Sequence, residues 1–364
     1  MGFDTGSISF RVFYLPSPLP ADHIERLATD AAPSLDALSA EPIAGWVTGR
    51  HLLDRRITEQ TATVGTYLRV TLMKAERKIP APLLRAEVTM EELATMEADG
   101  RESLPRQDRV QIRKNVTSRL LPDMPPHLQG IPITGRKNGD ALLTGALSEK
   151  QVDALCIALK QTLDLDAVPM TPETAALRRR KTSVADLAPT SFSPECPDDD
   201  VNPAIGLDFL TWLWFFSEAR KGLLETSEGG FAIRVEGPLT FFREGDGAHE
   251  AKLKNGEPLL SGEAKTALLA GKKLSRAVVH LVKDEEEWKV ELDASEFVFR
   301  CLTLPKPEAL DRVSKYHDRM RSINTFLTGF LSLYDLFLDE RLDGSRWQEA
   351  RAEIHSWVRS REGR

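Results

Sequence analysis

The sequence predicts an α+β protein in which strands and helices alternate through two halves of the chain. Residues 7–14 alternate apolar and polar side chains, as a half-buried strand does. Residues 148–163 carry apolar side chains at helical spacing behind a Ser148 and Gln151 capping box. Residues 308–340 carry apolar side chains along one stripe of a long helix. Together these patterns indicate a mixed fold with a sizeable core.

The composition is that of an ordinary globular protein and excludes several classes. The chain has 364 residues, 41% hydrophobic and 28% charged, enough for two or three domains. Its first residues lack the basic start and apolar core of a secretion signal. No apolar run approaches the roughly 18–20 residues of a membrane span. Cys156, Cys196 and Cys301 are far apart and odd in number, which favours a reducing cytoplasm over a disulfide framework.

The first half is predicted as strands and helices around one core, with a helical excursion. The predicted strands are residues 7–14, 46–47, 67–73, 131–133 and 141–144. Asn138-Gly139, between the last two strands, is a hairpin turn signal. A short helix follows Asp22, and residues 80–122 are helical with breaks near Gly100 and Pro105.

Residues 178–205 have the composition of a linker. They contain the basic run Arg178–Lys181, four prolines and the acidic run Asp198–Asp200. Either charge run is compatible with a nucleic-acid or regulatory tail. A solvated linker is the favoured interpretation.

The second half begins with a strongly aromatic helix from Leu207 to Phe216. The strands predicted after it are residues 231–235, 239–242, 276–282, 288–292 and 297–302, with a short helix at 262–270 before the third. A last helix carries Trp347, Ile354 and Trp357.

The net charge of −7 argues against non-specific nucleic-acid binding unless the basic side chains cluster on one surface. Segment 101–122 is such a cluster, with six basic residues against two acidic ones. On a helix, Arg106, Arg109 and Arg113 form a stripe between an apolar edge at 112, 116 and 120 and another at 110 and 121. The aliphatic parts of these arginines can lie over a core with their guanidinium groups in water, or the guanidinium groups can be presented to phosphates. The pattern leaves both open.

A second basic cluster contains Lys265, Lys272, Lys273 and Arg276. Lys272 and Lys273 follow a predicted helix that ends near Gly271. The favoured interpretation is stabilisation of the helix dipole, and the alternative is again a phosphate contact.

Motif searches predict no catalytic residue, cofactor or metal. The sequence has no Gly-rich phosphate loop before a helix, no Cys-x-x-Cys, no His-Glu-x-x-His and no Gly-x-Ser-x-Gly, and its seven histidines lack ligand spacing. Metal-dependent nucleases often carry Glu-x-Lys on a strand. Glu250-Ala-Lys252 lies in a Gly-rich loop and Glu263-Ala-Lys265 in a predicted helix, so only Glu287-Trp-Lys289 enters a predicted strand. A nuclease is kept as the alternative to a binding protein.

Four short motifs, in this order, are similar to the RdgC family. They are Gly45-Trp46-Val47, the stretch from Lys74 to Pro82, Leu120-Leu121-Pro122, and the stretch from Leu260 to Arg276. The match covers residues from 7 to 305. The aromatic segment Phe209–Trp214 resembles the longer branch of the family rather than the shorter enterobacterial type.

The resemblance implies a horseshoe-shaped subunit with a central α/β domain, a helical tip and a β-rich base domain. Two such subunits would close into a ring-shaped homodimer with a basic hole. The family binds single- and double-stranded DNA without sequence preference and restrains the recombinase RecA by occupying its DNA. We therefore expect a nucleoid-associated cytoplasmic protein without enzymatic activity.

Mapped on this chain, the resemblance implies six segments. They are the central domain at 1–75 and 125–178, the tip at 76–124, a linker at 179–205, the base at 206–305 and a helical extension at 306–364. The implied DNA-binding residues are Arg106, Arg109, Arg113, Lys114 and Arg119 in the tip and Lys272, Lys273 and Arg276 in the base.

Two regions depart from the family pattern. After Pro122 the familiar form has basic and aromatic residues suggested to probe DNA, whereas this chain has Asp123 and no aromatic residue up to Leu128. A DNA-inserting finger is therefore not implied here. The helices of 308–364 have no counterpart and are interpreted as a thickening of a dimer interface, or alternatively as a protein-interaction scaffold.

Overall fold

The computed structural model describes residues 3–198, 203–226, 229–244, 249–306, 309 and 311–361. Its strands join into a single 13-stranded sheet, and helices cover both faces of that sheet in different places. The α+β prediction is confirmed. Residues 199 and 200 of the predicted acidic run, and Leu310 of the predicted C-terminal stripe, lie outside the described residues.

The elements match most of the predicted strands and helices. The strands are β1 Ile8–Tyr14, β2 Ile43–Thr48, β3 Thr63–Val64, β4 Tyr67–Arg77, β5 Pro126–Arg136, β6 Ala141–Thr144, β7 Val168–Pro169, β8 Leu223–Thr226, β9 Gly229–Phe242, β10 Glu250–Leu253, β11 Lys273–Lys283, β12 Glu286–Asp293 and β13 Val298–Thr303. The helices are α1 His23–Thr29, α2 Glu59–Ala62, α3 Ala81–Asp99, α4 Arg106–Leu120, α5 Glu149–Leu163, α6 Pro172–Arg180, α7 Ile205–Ala219, α8 Gly262–Leu269, α9 Arg312–Arg341 and α10 Gly344–Ser360. The two strands predicted at 231–235 and 239–242 are one strand, β9.

Strand β1 joins the two halves of the sheet. It pairs antiparallel with β6 through residues 11–14 and with β13 through Ile8 and Phe10. The strand order is therefore β10-β9-β11-β12-β13-β1-β6-β5-β4-β2. Because β1 belongs to both halves, the predicted central and base domains share one sheet.

Alternate residues of β1 point to opposite faces and contact two different cores. Phe13 belongs to the core under α1 and α5, where Leu155 and Leu159 pack against the strands. Phe10 belongs to a larger core under α7, α9 and α10. Helices thus cover one face of the sheet in the first half and the other face in the second.

Helix α7 lies deep in the larger core. Every residue from Ile205 to Phe216 is buried, so this helix has no polar stripe facing water. Trp214 packs edge to face on Trp357 of α10 with ring centroids 5.1 Å apart, and Trp212 stacks on Phe216 at 5.0 Å. The aromatic run noted in the sequence is a core element between sheet and helices.

The described part of the segment predicted as a solvated linker is packed into this core. Phe192 is 2% exposed and lies edge to face against Trp347 with centroids 6.0 Å apart. Ser193 is also buried, and its hydroxyl donates to the carbonyl oxygen of Leu269 at 2.6 Å. The solvated-linker interpretation is therefore wrong for Val184 and for residues 190–193, since their side chains are buried in the core.

The basic run at the end of α6 fastens that helix to α9. Arg179 forms a salt bridge with Asp335, and Arg180 forms one with Asp339 at 2.8 Å. Arg178 lies over the ring of Tyr14, 4.4 Å from its centroid. These arginines act inside the subunit rather than as a nucleic-acid or regulatory tail.

The C-terminal helices are part of the subunit core rather than an added layer. One face of α9 is buried along its length, including Met320, Phe330 and Phe337. The hydroxyl groups of Tyr316 and Thr134 are 2.6 Å apart, and burial raises the pKa of Tyr316 to about 12. Removal of residues 306–364 would expose this core, so the helices are not a separable scaffold.

Candidate nucleic-acid interface

The predicted tip is a helical hairpin at one end of the β4–β5 strand pair of the sheet, which we call the β4–β5 ribbon. Strands β4 and β5 pair along their whole length, from Tyr67 opposite Arg136 to Arg77 opposite Pro126. Helices α3 and α4 follow at the Arg77 end. Arg119, near the end of α4, bonds Glu87 in the first half of α3 at 3.0 Å, so the two helices are antiparallel.

A small core of its own holds the hairpin together. Leu104, Ile112 and Val116 are buried against apolar side chains of α3. Helix α3 contains no fully buried residue. The tip therefore depends on contacts between its two helices, and most of its surface faces solvent.

The arginine stripe of α4 lies on the solvent-facing side of the hairpin. Arg106, Arg109, Arg113 and Lys114 are exposed, and none forms an ion pair with any residue that the structure describes. Val110 is 61% exposed. Of the two apolar edges beside the stripe, the one at 112 and 116 is therefore buried, whereas Val110 on the other edge faces solvent.

Arg119 differs from the other basic residues of α4. Its guanidinium forms salt bridges with Glu87 at 3.0 Å and with Glu91 at 3.6 Å. Its side chain is still 56% exposed, so the contact with α3 and a contact with a phosphate are both compatible with its position.

The basic cluster of the base has a different environment. Lys273 is 3% exposed, and its ammonium bonds the buried carboxylate of Asp208 at 2.5 Å. The Asp208 carboxylate lies in the core on α7 and needs a counter-charge there. This corrects the sequence prediction for Lys273, and we omit it from the DNA-binding residues proposed below.

The neighbours of Lys273 are more accessible. Arg276 forms a salt bridge with Asp293 at 2.9 Å, and its side chain is 43% exposed. Lys272 is partly exposed. Lys265, the first lysine of the cluster, donates to the carbonyl oxygens of Arg359 and Arg361 and thus holds the end of α10. Within this cluster, Lys272 and Arg276 are the candidates for contact with a ligand outside the subunit.

The Glu-x-Lys pattern at 287–289 lies on β12 as predicted. Trp288 points into the core, while Glu287 and Lys289 are exposed on the opposite face. His280 lies between two carboxylates, 2.8 Å from Glu236 and 2.7 Å from Glu287, and Lys289 bonds Glu236 at 3.0 Å.

The electrostatics of this cluster favour ionised carboxylates that already have partners. Hydrogen bonds from Lys289 and His280 lower the pKa of Glu236, and that from His280 lowers the pKa of Glu287. No group of three His, Cys, Asp or Glu side chains suited to a metal ion occurs among the described residues. Of the other triplets, 263–265 lies in α8 as predicted, whereas 250–252 lies in β10 rather than a loop.

Sequence reasoning did not single out a further group of basic side chains. Arg50, Arg55 and Arg56 are exposed in the segment between β2 and α2. The signal available in the sequence was three arginines within seven residues. The group becomes a candidate site because further basic residues lie near it in space, which only the folded structure shows.

Comparison with known proteins gives one family. No helix in the described ranges is long and apolar enough to cross a membrane. No curated protein matches the chain. The family described as "Putative exonuclease, RdgC" matches residues 12–182, a stretch that runs from β1 to the end of α6 and contains the whole tip. Over these residues, the chain matches the RdgC family.

Proposed function

We propose that this protein binds single- and double-stranded DNA without sequence preference and without catalysing a reaction on it. The match of residues 12–182 to the RdgC family supports a DNA-associated, recombination-related protein in general terms. The observation that carries the finer proposal is the exposed stripe of Arg106, Arg109, Arg113 and Lys114 on α4, without ion-pair partners in the described part of the chain.

The charge arrangement of α4 favours an anionic partner. Arg106 is the first residue of the helix and Arg109 follows within one turn, at the positive end of the helix dipole. A cation there costs about 0.3–1 kcal/mol of helix stability. A bound phosphate would turn this unfavourable contact into a favourable one, since guanidinium groups match phosphate oxygens in pairs.

Contacts of this kind do not distinguish base sequences. Phosphates carry no sequence information, so a surface made of phosphate-binding side chains positions DNA without selecting it. Each neutralised phosphate releases counterions, and affinity should fall steeply as salt rises. Arg119, Lys272 and Arg276 are proposed as weaker contributors, because Arg119 and Arg276 already have carboxylate partners.

The proposal includes a homodimer. Leu83, Met90 and Leu93 recur at helical spacing on α3 and are 37%, 68% and 52% exposed. Apolar side chains in such a stripe favour a protein contact, and we propose a second copy of the tip as that partner. A ring closed by two subunits would surround DNA and restrain RecA by occupying the same strand.

The decisive experiment reverses the charge of the stripe. We expect R106E/R109E/R113E to lower the affinity for a 30-base-pair duplex by about 100-fold or more at roughly 50 mM salt, because three phosphate contacts become repulsive. Fluorescence anisotropy measures the affinity. The matched control K150E/K252E/K254E changes the net charge equally at exposed lysines elsewhere. Equal affinities of the two variants would refute the assignment of the tip.

A metal-dependent nuclease is the second candidate, favoured by the position of Glu287 and Lys289 beside Glu236 on an exposed sheet face. We expect labelled DNA to remain intact with Mg²⁺ or Mn²⁺, since His280 and Lys289 occupy both carboxylates. Cleavage that disappears in Glu287→Gln would replace the binding-only proposal.

A further inference from the structure

A second basic surface lies at the end of the β4–β5 ribbon furthest from the tip. Three separate segments contribute to it, and we call it the distal basic surface. Its members are Arg50, Arg55, Arg56, Arg136, Lys137, Arg312 and Lys315. None of them belongs to the clusters recognised in the sequence.

Hydrogen bonds bring the first two segments together on the short helix α2. The guanidinium of Arg50 donates to the carbonyl oxygen of Gln60 at 2.6 Å, and Lys137 forms a salt bridge with Glu59. Arg136, next to Lys137, lies over the ring of Tyr67 at the start of β4, 5.8 Å from its centroid.

The start of α9 reaches the same end of the sheet. His317 packs edge to face on Tyr67 with centroids 5.7 Å apart. Arg69 lies over the ring of Tyr316 at 5.8 Å, and its carbonyl oxygen accepts from the backbone N–H of Gly49. Arg312 and Lys315 are exposed in the first turn of this helix. The loop, the turn and the helix are therefore neighbours.

The loop that carries Arg55 and Arg56 is held by internal hydrogen bonds. The carbonyl oxygen of Asp54 accepts from the backbone N–H of Thr48 at 2.8 Å, and its carboxylate accepts from the Thr48 hydroxyl at 2.9 Å. Ile57 anchors the loop in the core. Arg55 and Arg56 are exposed with no ion pair to any described residue, so the loop presents two guanidinium groups on a fixed backbone.

Positive charge is in clear excess on this surface. Segments 49–59, 136–137 and 311–315 hold seven basic residues against three acidic ones. Two of those acidic residues make hydrogen bonds that hold their own segments in place. Asp54 fixes the loop. The carboxylate of Asp311 accepts from the Ser314 hydroxyl, which lowers its pKa most, and from the N–H groups of Val313 and Ser314 at 3.0 Å. The third, Glu59, neutralises Lys137 alone.

We propose that the distal basic surface is a second binding site for the phosphate backbone of DNA. The inference rests on the proposed DNA-binding function and extends it to a part of the subunit outside the tip. Five of its seven cations are arginines, whose planar donors pair with phosphate oxygens. Arg312 and Lys315 also lie at the positive end of α9, where an anion is favoured.

The ribbon sets the separation between the two surfaces. Strand β4 spans the ten steps from Tyr67 to Arg77, about 33 Å at the rise of a β-strand. One turn of duplex DNA is about 34 Å long. A duplex of one turn would just span the length of the ribbon, and a duplex of two to three turns is long enough to contact both surfaces.

The test reverses Arg55 and Arg56 in the full-length protein. We expect R55E/R56E to lower the affinity for a 30-base-pair duplex at least tenfold relative to K150E/K252E, which carries the same charge change. The slope of log affinity against log salt should fall by about 2, one phosphate contact for each arginine. R312E/K315E, on a different element, should have the same effect and guards against local misfolding of the loop.

Each outcome separates this inference from the proposed function. If the wild-type protein binds no DNA, the proposed function itself fails. If it binds and both distal variants equal the control, the second site is refuted while the tip assignment stands. Loss of binding to phosphatidylserine vesicles with unchanged DNA affinity would assign the surface to membranes and overturn the proposal.

Discussion

Two basic clusters that look alike in the sequence end in opposite environments. The one at 106–114 lies on the exposed side of α4, with no carboxylate partner in the described ranges. The one at 272–276 begins β11, and Lys273 at its centre is enclosed beside Asp208. The comparison shows that a run of basic residues predicts a basic surface only where no buried carboxylate nearby needs one of them as a counter-charge. In the predicted base domain, the buried Asp208 carboxylate on α7 is the reason why Lys273 lies in the core.

Removal of the buried cation should give the largest effect on stability. We expect Lys273→Met to lower the free energy of unfolding by about 3–5 kcal/mol, because Asp208 would remain as a poorly compensated buried charge. Chemical denaturation measures this value. Lys254→Ala, at an exposed lysine, should change it by no more than about 0.5 kcal/mol. A loss for Lys273→Met as small as that of the control would mean that the ion pair is not buried in solution.

The double variant K273M/D208L sharpens the same comparison. Replacement of both charges by apolar groups removes the Asp208–Lys273 pair, and such exchanges are often neutral or stabilising. It also leaves the buried guanidinium of Arg341 without the Asp208 carboxylate, which lies 3.7 Å away. We therefore expect the double variant to recover part of the stability lost by Lys273→Met.

A smaller effect should separate the two clusters in DNA binding. We expect Arg113→Ala to lower the salt dependence of binding by about one unit of slope, since one phosphate contact is lost. Arg276→Ala should have less effect, because its guanidinium already bonds Asp293. Anisotropy titrations at several salt concentrations compare the two. A larger change for Arg276→Ala than for Arg113→Ala would reverse the assigned order of the clusters.

Local structure was predictable where short-range patterns specify it. The capping box at Ser148 begins α5, where the side-chain oxygen of Gln151 accepts from the backbone N–H of Ser148 at 3.2 Å. The breaks near Gly100 and Pro105 separate α3 from α4, and Asn138-Gly139 lies in the turn between β5 and β6. Capping, turn chemistry and helical spacing act over a few residues, so the sequence carries them directly.

The sequence by itself therefore determined the fold class, most element positions and the exposed arginines of the tip. Only the tertiary structure decided that Ile8 pairs with Leu302, that Phe192 lies in the core and that Lys273 is buried against Asp208. It also brought Arg55, Arg136 and Arg312 to one end of the sheet. These contacts join residues far apart in the chain, and no local pattern records which distant partner a side chain will meet.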